Sequence, residues 1–122
     1  MATIMIVDDE PHIRVITRKI LEGEGYSTIE AADGGECLKM LKKEKPDLIL
    51  LDVMMPGING WEVCKRIKEN RETSKIPTVM FTVRTSMDSI RKSLEYSRAD
   101  AQINKPFEVD ELIDKVQNLL GV

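Results

Sequence analysis

The sequence predicts an α/β domain in which one parallel sheet is covered by helices on both faces. Short apolar runs of strand length alternate along the chain with segments of helical periodicity. Runs that are apolar at every position are typical of strands buried on both sides, as parallel strands are. The 122 residues suffice to bury a core without disulfides or structural metal. We therefore expect five βα units in a single domain that spans residues 1–122.

The strands are predicted where apolar runs stop at polar residues. Three runs are clear, and they are Ile4–Val7, Leu48–Leu51 and Thr78–Phe81. Two weaker candidates are Ser27–Ala31 and Ala101–Asn104. Each strand is followed by a helical segment, so we expect parallel pairing through right-handed crossovers.

The helices are predicted where apolar residues recur with a helical period. Their stripes are Ile13, Ile16 and Ile20; Cys37, Leu38 and Leu41; Val63, Cys64 and Ile67; Met87, Ile90 and Leu94; and Leu112, Val116, Leu119 and Leu120. Pro11 suits the first turn of helix 1, where its missing N–H costs nothing. Asn59 suits the N-cap of helix 3.

Composition excludes several classes of protein. Twenty-one acidic and 18 basic residues give a net charge of −3, which offers no electrostatic footprint for nucleic acid. No apolar run is long enough to cross a bilayer, and residues 1–8 lack the features of a signal peptide. Cys37 and Cys64 lie in helical stripes, which predicts buried thiols in a reducing compartment. We expect a cytoplasmic protein that contacts neither nucleic acid nor membrane directly.

Polar residues follow the predicted strands at the point where each strand ends. Asp8 and Asp9 follow strand 1, Asp52 follows strand 3, Thr82 follows strand 4 and Lys105 follows strand 5. A single acid here would be read as a helix cap. Because ligands of open α/β sheets bind at the carboxyl ends of the strands, the set together indicates a functional site.

The acids of this set suit a divalent cation. Two carboxylates about 5 Å apart repel by about 3 kcal/mol at an effective dielectric of about 20, so a compensating charge is needed. Mg²⁺ prefers oxygen ligands and also takes phosphate oxygens. With Lys105 as a second positive charge and Thr82 as a hydroxyl donor, the site could hold a transferring phosphoryl group. Asp52 would then be the nucleophile that forms an acyl phosphate.

Four motifs in order carry a family resemblance. They are Asp8–Pro11, Leu51–Gly57 followed by Gly60, Thr82, and Lys105–Phe107. Together they resemble the receiver domain of response regulators in two-component signalling, in particular single-domain members of the chemotaxis-regulator type. The resemblance covers essentially the whole chain. It implies a flavodoxin-like (βα)5 three-layer sandwich whose five parallel strands are ordered 2-1-3-4-5.

The resemblance also implies a role for each site residue. Asp52 resembles the phosphoryl acceptor, Thr82 the switch hydroxyl and Lys105 the lysine that pairs with the phosphate. The Mg²⁺ ligands that it implies are Asp8, Asp9, Asp52 and the main-chain carbonyl of Met54. The Lys105–Pro106 peptide bond is expected to be cis.

The partners implied are a phosphoryl donor and a downstream target protein. The donor is a phosphohistidine on a sensor histidine kinase or a phosphotransfer domain. The target is expected on the face of helix 4, strand 5 and helix 5, which includes Arg91, Glu95, Gln102 and Glu108. Such a domain catalyses its own phosphorylation and slow dephosphorylation, and it is a switch rather than a turnover enzyme.

Some residues depart from the family pattern and keep an alternative open. Gln102 stands where the family often has an aromatic switch residue, and Val83 follows Thr82 where a small residue is usual. The alternative is a pseudo-receiver that binds partners independently of phosphorylation. Met54, Val83 and Arg84 are expected to hinder water and prolong the life of the acyl phosphate.

Two enzymatic or cofactor-binding rivals are disfavoured by single motifs. A haloacid-dehalogenase-type phosphohydrolase needs a second acid two residues after the nucleophile, where this chain has Met54. A flavin carrier on the same fold needs a loop that cradles phosphate, which Asp8–Glu10 would repel.

Overall fold

The computed structural model describes residues 2–82 and 91–121, apart from the side chains of residues 93 and 94. Its elements in chain order are β1 Thr3–Val7, α1 Pro11–Gly23, β2 Ser27–Ala31, α2 Gly34–Met40, β3 Leu48–Asp52, α3 Gly60–Glu69, β4 Thr78–Thr82, α4 Lys92–Tyr96, β5 Ala101–Asn104 and α5 Val109–Leu120. The segment α4 has π-helical hydrogen bonding.

The five strands form one parallel sheet in the order β2-β1-β3-β4-β5, which confirms the expected fold. The strands with the strongest apolar runs, β1, β3 and β4, occupy the middle of the sheet. The weaker candidates, β2 and β5, form its two edges. The predicted strands at Ser27–Ala31 and Ala101–Asn104 are therefore confirmed with the same bounds.

Alternate residues of the central strands pack into two cores, one on each face of the sheet. Met5 and Val7 pack with Ile49 and Leu51 against the buried residues of α2 and α3. On the other face, Ile4, Ile6, Leu48 and Leu50 pack with Leu21 of α1 and with Leu112 and Val116 of α5. Because strand side chains alternate between faces, a run that is apolar at every position can fill both cores.

Two predicted helix starts are confirmed, and one predicted helix face needs correction. Pro11 opens α1, and the Asn59 side chain accepts a hydrogen bond from the N–H of Glu62 at 3.0 Å. In α1 the fully buried positions are Thr17 and Leu21, whereas Ile16 of the predicted stripe is 47% exposed. At about 100° per residue, Ile16 falls at the rim of the face that packs on the sheet.

Helix 4 can be compared with its prediction only in part. Met87 and Ile90 of the predicted stripe lie outside the described residues, as does the side chain of Leu94. The described part is the π-helical α4, which packs against α3 and β5. Tyr96 at its end donates a hydrogen bond to Glu62 of α3 at 3.0 Å.

The Lys68 ammonium joins three segments at the amino-terminal side of β4, opposite the edge that holds the predicted site. It donates to the carbonyl oxygens of Ser74 and Ile76 at 3.3 and 2.8 Å, and to Asp100 Oδ2 at 2.7 Å. The same Asp100 oxygen accepts the N–H of Thr78 at 2.7 Å. We call this arrangement the Lys68 junction, and it ties α3 to the entries of β4 and β5.

Both cysteines are free and buried, as predicted. Cys37 lies in the core on the α2 and α3 face, where its Sγ is 3.8 Å from Met5 Sδ. Within residues 2–82 and 91–121, every helix is too short or too polar to cross a membrane.

Candidate functional site

The carboxyl ends of β1, β3 and β4 carry the side chains that the sequence singled out. Asp52 and Thr82 are the last residues of β3 and β4, and Asp8 directly follows β1. All three are buried. The strand that carries Asp52 lies between the other two, so the three side chains lie side by side at the carboxyl-terminal end of the parallel sheet.

An acidic cluster lies at the exit of β1. Carboxylate oxygens of Asp8, Asp9 and Glu10 lie within 4.8 Å of one another. Asp8 is buried, whereas Asp9 and Glu10 are exposed to solvent. Glu10 was not among the predicted ligands, although its place in the Asp8–Pro11 motif could have suggested it. A cluster of oxygen donors with solvent access suits a hard cation such as Mg²⁺.

Lys105 closes the site from β5. Its Nζ lies 2.6 Å from Asp8 Oδ2 and 3.4 Å from Asp52 Oδ1, so one ammonium bridges the two buried carboxylates. The main chain holds it in place, because the Lys105 N–H donates to the Thr82 carbonyl at 2.7 Å. The Lys105–Pro106 peptide bond is cis, which confirms that expectation.

Gly60 lies directly behind Asp52. Its N–H donates to the Val53 carbonyl at 2.9 Å. A Cβ built on Gly60 would lie 2.0 Å from the main-chain oxygen of Asp52 and 2.8 Å from the Val53 Cα. Only glycine allows the first turn of α3 to approach the end of β3 so closely. This packing gives a physical reason for the glycine in the second motif.

Burial and neighbouring charges together set the protonation of Asp52 and Lys105. It raises the pKa of the Asp52 carboxyl to about 6, the charge of Asp8 adds to the rise, and Lys105 partly offsets it. Burial alone would lower the pKa of the Lys105 ammonium, but the hydrogen bond to Asp8 and the charge of Asp52 outweigh it and raise that pKa. At neutral pH the site therefore holds a carboxylate at Asp52 and a protonated lysine.

The raised pKa of Asp52 predicts a pH-dependent cost of keeping this carboxylate ionised. Between its ordinary pKa of 3.8 and about 6, the native state binds more protons at Asp52 than the unfolded state does. Stability attributable to Asp52 therefore falls as pH rises through that window. In metal-free buffer, the unfolding free energy of Asp52→Asn relative to wild type should rise by about 2 kcal/mol between pH 4 and pH 7.

Urea denaturation at several pH values, with a chelator present, measures this difference. Asp114→Asn is the matched control, because Asp114 is an exposed aspartate of α5. It reports the effect of replacing an aspartate that lacks the buried surroundings of Asp52, and the rise should be larger for Asp52→Asn than for this variant. If the difference in unfolding free energy between Asp52→Asn and wild type stayed constant with pH, burial would not destabilise the ionised form of Asp52.

Of the other residues that the sequence singled out, the structure describes Met54 and Gln102. The Met54 N–H donates to Asp52 Oδ1 at 3.4 Å, and the Met54 side chain is 49% exposed beside the site. Gln102 Nε2 donates to Asn104 Oδ1 at 3.0 Å along β5. Val83 and Arg84 lie outside the described residues. Their effect on the lifetime of an acyl phosphate stays a prediction.

Sequence comparison places the chain near proteins of bacterial signalling. A family model described as "Response regulator receiver domain" matches residues 4–117. The sporulation initiation phosphotransferase F of Bacillus subtilis is 38% identical over 117 residues, which are 96% of this chain and 92% of that protein. The MtrA DNA-binding response regulators of mycobacteria are longer, and the chain spans about half of their length.

Solved structures share the whole fold. A putative response regulator from Chloroflexus aurantiacus matches with a TM-score of 0.94 and 34% identity, over 99% of this chain and 98% of that one. The response regulator TrrA from Thermotoga maritima, solved in complex with Mg²⁺ and BeF, matches with a TM-score of 0.87 and 36% identity, over 98% and 99% of the two chains.

Proposed function

The chain belongs to the response regulator receiver domains of two-component signalling, and from this premise we propose that Asp52 accepts a phosphoryl group from a phosphohistidine. The observation that carries the proposal is the ammonium of Lys105, which bridges the buried carboxylates of Asp8 and Asp52 at the carboxyl-terminal end of the sheet. An ammonium held between two carboxylates can turn to a phosphoryl oxygen once one of them is phosphorylated. The donor is a histidine kinase or a phosphotransfer domain.

Mg²⁺ is the proposed cofactor. The ligands are the carboxylates of Asp8, Asp9 and Asp52 and the main-chain carbonyl of Met54. The oxygen-only donor set at the exit of β1 fits this ion, and the related TrrA was solved with Mg²⁺ and BeF. When bound, the ion would neutralise charge on the phosphoryl oxygens.

The transfer itself uses the residues of the chain. A carboxylate oxygen of Asp52 forms a bond to phosphorus while the phosphorus–nitrogen bond of the donor breaks and its electron pair returns to the histidine. Lys105 pairs with a phosphoryl oxygen, and the Thr82 hydroxyl donates to another. Movement of Thr82 toward the phosphoryl group would shift the domain between two states that a target protein distinguishes.

Phosphorylation of Asp52 can be tested with a small donor in place of the kinase. Incubation with acetyl phosphate and Mg²⁺ should add one hydroxylamine-labile phosphoryl group to the wild-type chain. Asp52→Asn should abolish the addition, because the amide oxygen is a poor nucleophile, and chelation of Mg²⁺ should abolish it in wild type. Intact-mass spectrometry measures the addition directly.

The control for this experiment is again Asp114→Asn, which should be labelled like wild type. Full labelling of Asp52→Asn would refute Asp52 as the acceptor. An unlabelled wild-type chain that still binds its target would favour the pseudo-receiver instead.

The site of target binding is proposed from the family resemblance. It is the face formed by α4, β5 and α5, with Arg91, Glu95, Gln102 and Glu108. The Gln102–Asn104 amide pair on β5 lies next to the strand that carries Thr82. A hydrogen-bonding amide would there take the place of an aromatic switch residue. We further propose that residues 1–122 act as one receiver domain in the cytoplasm.

A further inference from the structure

Every polar atom of Asp8 has a partner, and one of these partners comes from α1. The Asp8 N–H donates to the Ala31 carbonyl at 3.2 Å. Its carboxylate accepts the Glu10 N–H at 3.0 Å through Oδ1 and the Lys105 ammonium at 2.6 Å through Oδ2. Its main-chain carbonyl accepts a hydrogen bond from Arg14 Nη1 at 2.6 Å. The last contact fixes the peptide plane that joins Asp8 to Asp9.

The Arg14 guanidinium is itself held in place by the edge strand β2. Arg14 Nε donates to Glu30 Oε1 at 3.2 Å, and the Arg14 side chain is only 18% exposed. The other Glu30 oxygen accepts Arg18 Nη1 at 3.3 Å. Glu30 thus contacts two arginines of α1. Of these two, Arg14 also contacts the acidic cluster, through the main-chain carbonyl of Asp8.

We propose that Arg14, anchored by Glu30, is a positioning residue for the metal site at the exit of β1. The inference rests on the proposed Mg²⁺ ligands. With the Asp8–Asp9 peptide fixed, the buried Asp8 carboxylate and the exposed Asp9 carboxylate keep their mutual orientation before the ion arrives. Groups that orient metal ligands commonly change metal affinity by about 10- to 100-fold when they are removed.

Positioning and simple electrostatics predict opposite signs for the loss of Arg14. Its positive charge lies beside the acidic cluster, so a role through charge alone would make Arg14→Gln bind Mg²⁺ more tightly. A positioning role makes the same variant bind Mg²⁺ more weakly, because the ligands must be ordered upon binding. The direction of the change in Kd therefore distinguishes the two roles.

The test is a titration of the unphosphorylated protein with Mg²⁺, followed by calorimetry and by the backbone amide shifts of Asp9 and Glu10. Arg14→Gln should raise the Kd by about tenfold. Glu30→Gln should raise it in the same direction by a smaller factor, because Arg14 loses its anchor. Arg18→Gln is the matched control, since Arg18 shares Glu30 without contacting Asp8, and its Kd should stay within about twofold of wild type.

Thermal melts without metal separate this effect from general loss of stability. Arg14→Gln loses a largely buried ion pair and the hydrogen bond to the Asp8 carbonyl, so its melting temperature should fall more than that of Arg18→Gln. Mg²⁺ is therefore titrated at a temperature well below both melting transitions. An unchanged or lower Kd for Arg14→Gln, with normal Mg²⁺ binding by wild type, would overturn the positioning role alone. If the wild-type chain bound no Mg²⁺, the metal site and the role of Arg14 would both be wrong.

Discussion

Replacing Gly60 with alanine should lower the free energy of unfolding by about 3 kcal/mol and slow phosphorylation of Asp52 by about tenfold or more. The added Cβ would lie 2.0 Å from the main-chain oxygen of Asp52, far inside contact distance. The obstacle is backbone in a central strand, which has little room to move. Relief requires α3 to move away or Asp52 to shift, and either movement disturbs the Asp52 carboxylate, the proposed acceptor.

Urea denaturation and acetyl phosphate labelling together measure this prediction. Gly35→Ala is the matched control, because a Cβ on Gly35 of α2 would meet only Asp33 Oδ1 at an ordinary 3.5 Å. That variant should be as stable as wild type or gain up to about 1 kcal/mol, since alanine favours helix over glycine. Equal stabilities for the two variants would show that the main chain at Asp52 can make room for a Cβ on residue 60.

Replacing Lys68 with methionine should lower the free energy of unfolding by about 2 kcal/mol, because the hydrogen bonds of the Lys68 junction are lost. The Lys68 side chain is 8% exposed, so the carbonyls of Ser74 and Ile76 would lose their donor with little water to replace it. Asp100 is 39% exposed and keeps the Thr78 N–H, which limits the loss. Methionine preserves most of the apolar stem of the lysine, so packing changes little.

Lys65→Met, one turn earlier in α3, is the control for this substitution. The Lys65 ammonium lies 5.0 Å from the centre of the Tyr96 ring, a contact worth about 0.5–1 kcal/mol. The melting temperature of Lys68→Met should therefore fall clearly below that of Lys65→Met. Indistinguishable melts would mean that solvent replaces the junction at no cost.

The sheet was predictable from sequence because its signals are local and redundant. Each central strand combines an apolar run with a polar stop, and the edge strands Ser27–Ala31 and Ala101–Asn104 are the weaker candidates of the same pattern. The buried face of α1 was harder to predict. Hydrophobicity favours Ile16 as a buried position, but its neighbour Thr17 is the residue that packs on the sheet. The π-helical geometry of α4 has no counterpart in a periodicity that assumes 3.6 residues per turn.

The chemical groups of the site were also predictable, since parallel strands bring their ends to one edge. Asp8, Asp52 and Lys105 meet there as expected. What the sequence could not reveal were contacts between groups distant in the chain whose residue types look ordinary. Arg14 and Lys68 read as surface cations of helices. Their partners Glu30 and Asp100 are distant in the chain, and only folding brings them into contact.

The two buried thiols described with the core have a consequence for redox chemistry. Burial raises the pKa of Cys37 to about 12 and that of Cys64 to about 11. At neutral pH the thiolate fraction of either sulfur is about one in ten thousand or less, and the thiolate is the form that oxidants and alkylating agents attack. Modification of these sulfurs must wait until the core opens. We therefore expect the two cysteines of the folded chain to resist both peroxide and disulfide exchange.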